Sequence, residues 1–237
     1  MIDEIQSRLV GLSNSEDAVC LQRFFKTGPG QYGEGDLFRG VRVPQLRRIA
    51  KASRAVPLEQ AERLLHSAYH EDRLLALLIV VGKYAEADEA GRVSIYELYL
   101  RSTRFINNWD LVDSSAEHVV GAHLGDKSRE PLYRLARSRS IWERRIAIMS
   151  TFHFIKRGEF DETLRIAEAL LSDKEDLIHK AVGWMLREVG KRDMRKEEMF
   201  LKARYKQMPR TMLRYAIEKF PEAKRQRYLK GSVKQGA

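Results

Sequence analysis

Two tryptophans, one aspartate and several cations recur along this chain at a fixed interval. Trp109, Arg145 and Lys180 follow Leu74 at steps of 35, 36 and 35 residues, and Leu78, Asp113, Met149 and Trp184 repeat those steps four residues further on. One more step along the first row reaches Arg214 or Tyr215. A spacing of four puts Trp109 with Asp113, and Lys180 with Trp184, on one face of a helix. A step of about 35 residues is the length of one helix pair in an α-solenoid, and equivalent positions of stacked repeats form rows along one face. With packed helices ~8–10 Å apart, a concave face would gather two indoles, one carboxylate and several cations in a shared cleft. Cations there suit phosphates. A carboxylate among them weakens phosphate binding, which points to a task of its own. Taken singly, Trp109 reads more readily as a core aromatic and Asp113 as a structural hydrogen-bonding group; the ladder is what favours a site.

The elements that must position these residues read as helices throughout. Apolar periodicity marks Ile2–Val10, Ala18–Phe25, Pro44–Ala52, Pro57–Ala68, Asp72–Tyr84, Glu89–Leu100, Trp109–Ala122 and Pro131–Ala136. It continues through Trp142–Ile155, Glu162–Leu171, Leu177–Val189, Lys196–Tyr205, Arg210–Phe220 and Glu222–Leu229. Pro44, Pro57 and Pro131 fall at first turns, Asp161 and Asp176 suit caps, and Asn107 or Asn108 would cap the helix that opens on Trp109. No stretch alternates as a strand does. The expectation is an all-α, curved solenoid of about six HEAT-like helical repeats, forming one domain over 1–237.

The exception is a glycine-rich connector, 26–42. Its Gly28-x-Gly30-x-x-Gly33 matches the dinucleotide fingerprint only formally, because that fingerprint needs a strand before it and a helix opening on its last glycine. No Gly-Lys-Ser/Thr follows, so it is no Walker loop either. It reads as a flexible connector, or as a loop draped on a phosphate or groove with help from Lys26, Arg39 and Arg42.

Composition narrows the class of partner. Lys and Arg number 43 against 33 Asp and Glu, a net charge of +10 that suits a polyanion: DNA, RNA or an anionic membrane surface. The excess is directional, dense from Lys202 to Lys230 and reversed over residues 1–20. Cys20 is the single cysteine, which excludes an internal disulfide and a cysteine-based zinc site. The six histidines make no metal-ligand spacing and read as structural or surface residues. The start lacks a signal-peptide pattern, and the apolar run Leu74–Val81 is too short to span a bilayer. A cytoplasmic, monomeric protein with no metal, no cofactor, no membrane attachment and no obligate protein partner is expected.

Three segments carry a resemblance: Asn108-Trp109-Asp110-Leu111-Val112-Asp113-Ser114, Ile141-Trp142-Glu143-Arg144-Arg145-Ile146-Ala147-Ile148, and Ile178-His179-Lys180-Ala181-Val182-Gly183-Trp184-Met185-Leu186-Arg187-Glu188. In their order and spacing the chain resembles the AlkD-like family of HEAT-repeat DNA glycosylases, most strongly over 41–220. Phe24-Phe25-Lys26-Thr27-Gly28-Pro29-Gly30 is similar to a subgroup with a longer connector, and some members have a second tryptophan where Asn108 stands. The resemblance implies hydrolysis of the N-glycosidic bond of cationic N3- or N7-alkylated purines in duplex DNA. It implies that Asp113 is the catalytic carboxylate, that Trp109 and Trp184 contact the deoxyribose, and that Arg145 supports the DNA backbone. Lys180 and Arg214 join the backbone contacts by register. The alternative is a non-catalytic HEAT-repeat protein that binds DNA structure, since fold alone does not specify activity.

Overall fold

The computed structural model describes residues 2–233. Among them the chain is helical throughout, and its β feature is an isolated parallel bridge between Leu37 and Tyr69. The helices gather in two compact units, Met1–His123 and Leu124–Ala237. The first holds α1 (Ile2–Gly11), α2 (Ser15–Phe24), α3 (Val43–Ala52), α4 (Leu58–Leu65), α5 (His70–Glu86), α6 (Glu89–Arg101) and α7 (Trp109–Asp113). The second holds α8 (Glu130–Ala136), α9 (Ile141–Ser150), α10 (Phe152–Lys156), α11 (Asp161–Ala169), α12 (Asp176–Gly190), α13 (Met194–Arg204), α14 (Arg210–Ala216) and α15 (Glu222–Leu229). No helix among the described residues is long and apolar enough to cross a membrane.

In the first unit α5 is the hub, packing on α3, α4, α6 and α7. Its apolar run Leu74–Val81 is buried apart from a half-buried Leu78 and Val81, as a helix surrounded by others requires. Its first turn is buried as well, yet it is wholly polar: His70, Glu71, Asp72 and Arg73. Two of these four charges, Glu71 and Asp72, are held by the connector. Glu71 accepts the backbone N–H groups of Arg39, Gly40 and Val41 at 2.9, 2.8 and 3.2 Å. Asp72 takes the Arg39 guanidinium in a fork at 2.6 and 2.9 Å. The later half of the glycine-rich segment is therefore pinned, and Arg39 is engaged inside the protein. Gly40 lies at φ +79°, and a Cβ there would collide with the backbone of Asn14 and Ala18, so this position must be glycine.

In the second unit α12 takes the central place, packed on α9, α11, α13 and α14. Gly183 faces α14 so closely that a Cβ would strike the Met212 carbonyl and the Tyr215 side chain, which is how α14 comes to lie against α12. Asp193 caps α13 by accepting the N–H groups of Arg195 and Lys196 at 2.9 and 3.1 Å.

Where the helices depart from the apolar periodicity, hydroxyls are responsible. The run Trp142–Ile155 divides at Thr151, where Ser150 donates to the Ile146 carbonyl at 2.6 Å and Thr151 to that of Ile148 at 2.7 Å. Such back-bonding competes with the helical ladder and bends it. Likewise Trp109–Ala122 is interrupted after Asp113. Ser115 donates to the Leu111 carbonyl at 2.5 Å, and a π-type turn, Glu117–Gly121, follows. Asp161 and Asp176, expected as caps, are the first residues of α11 and α12, behind Phe160 and Glu175.

Candidate active site

The ladder residues divide between the two units. In the first, Trp109 and Asp113 are the first and last residues of α7, which packs on α5, the helix of Leu74 and Leu78. In the second, Arg145 and Met149 lie on α9, Lys180 and Trp184 on α12, and Arg214 on α14. There α12 is in contact with both α9 and α14, as the spacing implied.

The start of α7 is fixed from several sides. The side chain of Asn108, fully buried, accepts the Trp109 N–H at 2.8 Å, and Asn107 donates to Asp36 at 3.0 Å. The Trp109 indole stacks on Phe25 at 5.4 Å between ring centres and meets Phe24 edge-on at 5.9 Å. Phe24 is 62% exposed, so the aromatic surface beside Trp109 continues to solvent through a phenyl ring from the end of α2. Phe25 in turn stacks on Phe38 at 5.3 Å, and both rings lie 4.7 Å from His70.

His70 is the centre of a buried charge cluster. Its Nε2 is 2.8 Å from Asp110 and its Nδ1 3.5 Å from Asp36, while Arg73 reaches Asp36 at 2.7 Å. Burial alone would depress the imidazole pKa, but the Asp110 carboxylate, with help from Asp36, raises it to about 9. Burial pushes the Asp36 carboxyl upward, and the bond to His70, the Arg73 charge and Asn107 more than reverse this. The cluster is thus two carboxylates against two cations at neutral pH. Sequence alone did not single it out. Its one trace was the polar His70-Glu71-Asp72-Arg73 turn placed directly before the longest apolar run.

Asp113 is half-buried, one turn along α7 from Trp109. Behind it lies the buried Tyr99 phenol of α6, in a 2.8 Å hydrogen bond with the Ser115 hydroxyl. Burial, joined by the Asp113 charge, moves that phenol far above its usual range, so it stays protonated.

In the second unit the Trp184 indole N–H donates to Glu188 at 3.2 Å, and Glu188 also holds Lys191 at 2.6 Å and Arg192 at 3.2 Å. Glu188 is buried, which would raise its pKa, but Lys191 and Arg192 bring it below the usual carboxylate value. Lys180 pairs with Asp176 one turn earlier at 2.7 Å, and this lowers the Asp176 pKa. Arg214 is exposed. Arg145 is not: it is 5% exposed, and its Nη1 donates to the Leu177 carbonyl at 2.5 Å, beneath the first turn of α12. Among the described residues no group of histidine, cysteine, aspartate and glutamate could hold a metal ion.

The sequence family described as "DNA alkylation repair enzyme" matches residues 5–220, and the chain belongs to that family. Its place is therefore in DNA repair, with DNA as the partner the family suggests. A solved structure described as "Predicted DNA alkylation repair enzyme from Enterococcus faecalis" matches with a TM-score of 0.67 over 89% of this chain and 97% of that one. At 16% identity, that likeness shows a shared all-helical fold. No curated protein matches the chain.

Proposed function

We propose that the protein is a DNA glycosylase that hydrolyses the N-glycosidic bond of cationic N3- or N7-alkylated purines in duplex DNA. The carrying observation is a half-buried carboxylate, Asp113, one helical turn from an indole that is itself locked in a stack of rings. An alkylated purine already bears positive charge, so its bond to the sugar is weak and departure needs no strong general acid. What the transition state needs is stabilisation of an oxocarbenium-like sugar and an oriented water. A carboxylate 4 Å from that cation, at an effective dielectric of 20, contributes ~4 kcal/mol, or roughly a thousandfold in rate. The faces of Trp109 and Trp184 add cation–π stabilisation as charge develops on the sugar. No step calls for a metal or an organic cofactor.

Phosphate contacts fall to the half-buried Lys180 and the exposed Arg214, which set affinity rather than sequence preference. Arg145 serves the backbone at one remove, by holding the α12 turn that presents Lys180. The match running unbroken from 5 to 220 supports reading both units as one HEAT-like repeat domain.

Duplexes containing 7-methylguanine or 3-methyladenine test this. Wild-type protein should release free base, and Asp113→Asn should lose about a thousandfold in single-turnover rate while keeping its melting temperature. DNA binding without base release by folded wild-type protein would favour the non-catalytic reading instead.

A further inference from the structure

The residues considered so far leave the first unit without a phosphate contact of its own. We infer that it has one, on α3, a reading that rests on the protein acting on DNA. Arg47 and Lys51 lie at i and i+4 of this helix, hence on one face, and Arg54 follows just beyond its end at Ala52. With Ala50 of α3 and Leu78, Ile79, Val81 and Gly82 of α5 they line an open groove of about 260 Å³.

The groove has the right place. Leu74, Leu78 and Gly82 are four apart and run down one face of α5, and Leu78 is the α5 member of the row that holds Asp113. Val43 of α3 stands 35 residues before Leu78 and α3 packs on α5, so α3 supplies the rung before Leu78. The cations of α3 thus extend, within this unit, the row that ends in the proposed catalytic carboxylate.

It also has the right chemistry. Arg47 and Lys51 are exposed, and among the described residues neither is paired with a carboxylate. Arg54 differs, with Glu86 on its guanidinium at 2.6 Å. The remaining lining is apolar and contains no acid, so the two unpaired cations keep their charge for a ligand. No hydroxyl or amide side chain converges there to enclose a small anion. An extended polyanion passing over the groove needs none. At 1.5 Å rise per residue the two side chains are rooted ~6 Å apart along α3, close to two steps of ~3.4 Å axial rise per nucleotide along a strand, which suits separate phosphates better than one compact group.

Arg48 supplies the control. It is exposed on the same helix and carries the same charge, but it does not line the groove. Binding of the full chain to a labelled undamaged duplex would be followed from 50 to 200 mM salt for wild type, Arg47→Ala/Lys51→Ala and Arg48→Ala. Two lost contacts should make the slope of log K against log salt shallower by about 1.8, so that the wild type's advantage over the double variant shrinks roughly twelvefold across that range. Arg48→Ala should leave the slope in place. Should the double variant melt early, Arg47→Gln/Lys51→Gln repeats the measurement. A wild-type slope in the double variant, or an equal change in Arg48→Ala, overturns the inference. Base release by wild type is scored separately. Binding without release, with the slope change present, would keep the α3 grip and sink the glycosylase reading; release with an unchanged slope would do the reverse.

Discussion

The charge cluster beneath Trp109 makes the stability of the first unit depend on pH in a calculable way. His70 has a pKa of about 9 in the fold against 6.5 free, because Asp110 and Asp36 outweigh the cost of its burial. A pKa raised on folding contributes stability that is fully present below the unfolded value and is lost as pH rises through the folded one. The window is therefore 6.5 to about 9, and the difference is worth about 3 kcal/mol at ~1.4 kcal/mol for each tenfold change in proton affinity. His70→Gln removes the titrating group while leaving a hydrogen-bonding side chain between Asp36 and Asp110. Urea unfolding at pH 6 and at pH 10 should then show wild type losing about 3 kcal/mol more than the variant. Packing lost between Phe25 and Phe38 shifts both points equally and drops out of the comparison. The indole reports the same event locally: Trp109, stacked on Phe25, should change fluorescence in step with His70 deprotonation before global unfolding. Parallel pH curves for wild type and His70→Gln would refute the reasoning, since they would mean that the imidazolium is not what holds the two carboxylates.

Two further substitutions separate stability from function in the second unit. Glu197 is buried with one carboxyl oxygen unpartnered, and burial, opposed by Arg187 and Lys224, lifts its pKa to about 8. The proton it must keep at neutral pH costs stability progressively above pH 4.5, so Glu197→Gln should stabilise by up to about 3 kcal/mol at pH 7 and by nothing at pH 4, read by thermal melts at both. Arg145→Ala removes a charge-assisted hydrogen bond to the Leu177 carbonyl and should cost about 1.5–3 kcal/mol in urea unfolding, with little change in the salt slope of DNA binding. A slope shallower by about one unit at unchanged stability would instead return Arg145 to the phosphate contacts.

The repeat was legible in the sequence because it rests on apolar periodicity, which local geometry translates directly into helix faces. The helices expected around Trp109, Arg145 and Lys180 form, and within each unit the ladder helices are neighbours. What the periodicity could not convey is how a long side chain resolves its own position. Register put Arg145 on a row of surface cations, but a guanidinium on three methylenes can turn inward, and a carbonyl at the next helix waits for it. The same holds for the connector: five glycines between residues 26 and 42 suggest slack, and only the fold reveals Glu71 gathering three of its backbone N–H groups. Hydroxyl back-bonding at Ser115, Ser150 and Thr151 is equally invisible to an apolar pattern.

These surprises share a cause. Each is a buried polar group, and burial of charge is expensive unless every member of the cluster finds its partner. A repeat fold has no need of such clusters to stack its helices, as the apolar contacts of α5 and α12 show. Yet here they stand directly behind the residues proposed to do chemistry: His70, Asp110 and Asp36 behind the rings that hold Trp109, and Glu188 behind Trp184. An indole anchored only by apolar contacts could adopt several rotamers. One held by a cap, a ring stack and a charge pair is held to few. Orientation of this kind is what the proposed chemistry requires, because charge developing on the sugar is stabilised only by groups already held in place. The stability spent on buried charge is thus intelligible as the cost of keeping two aromatic surfaces and one carboxylate in fixed places on an otherwise ordinary scaffold.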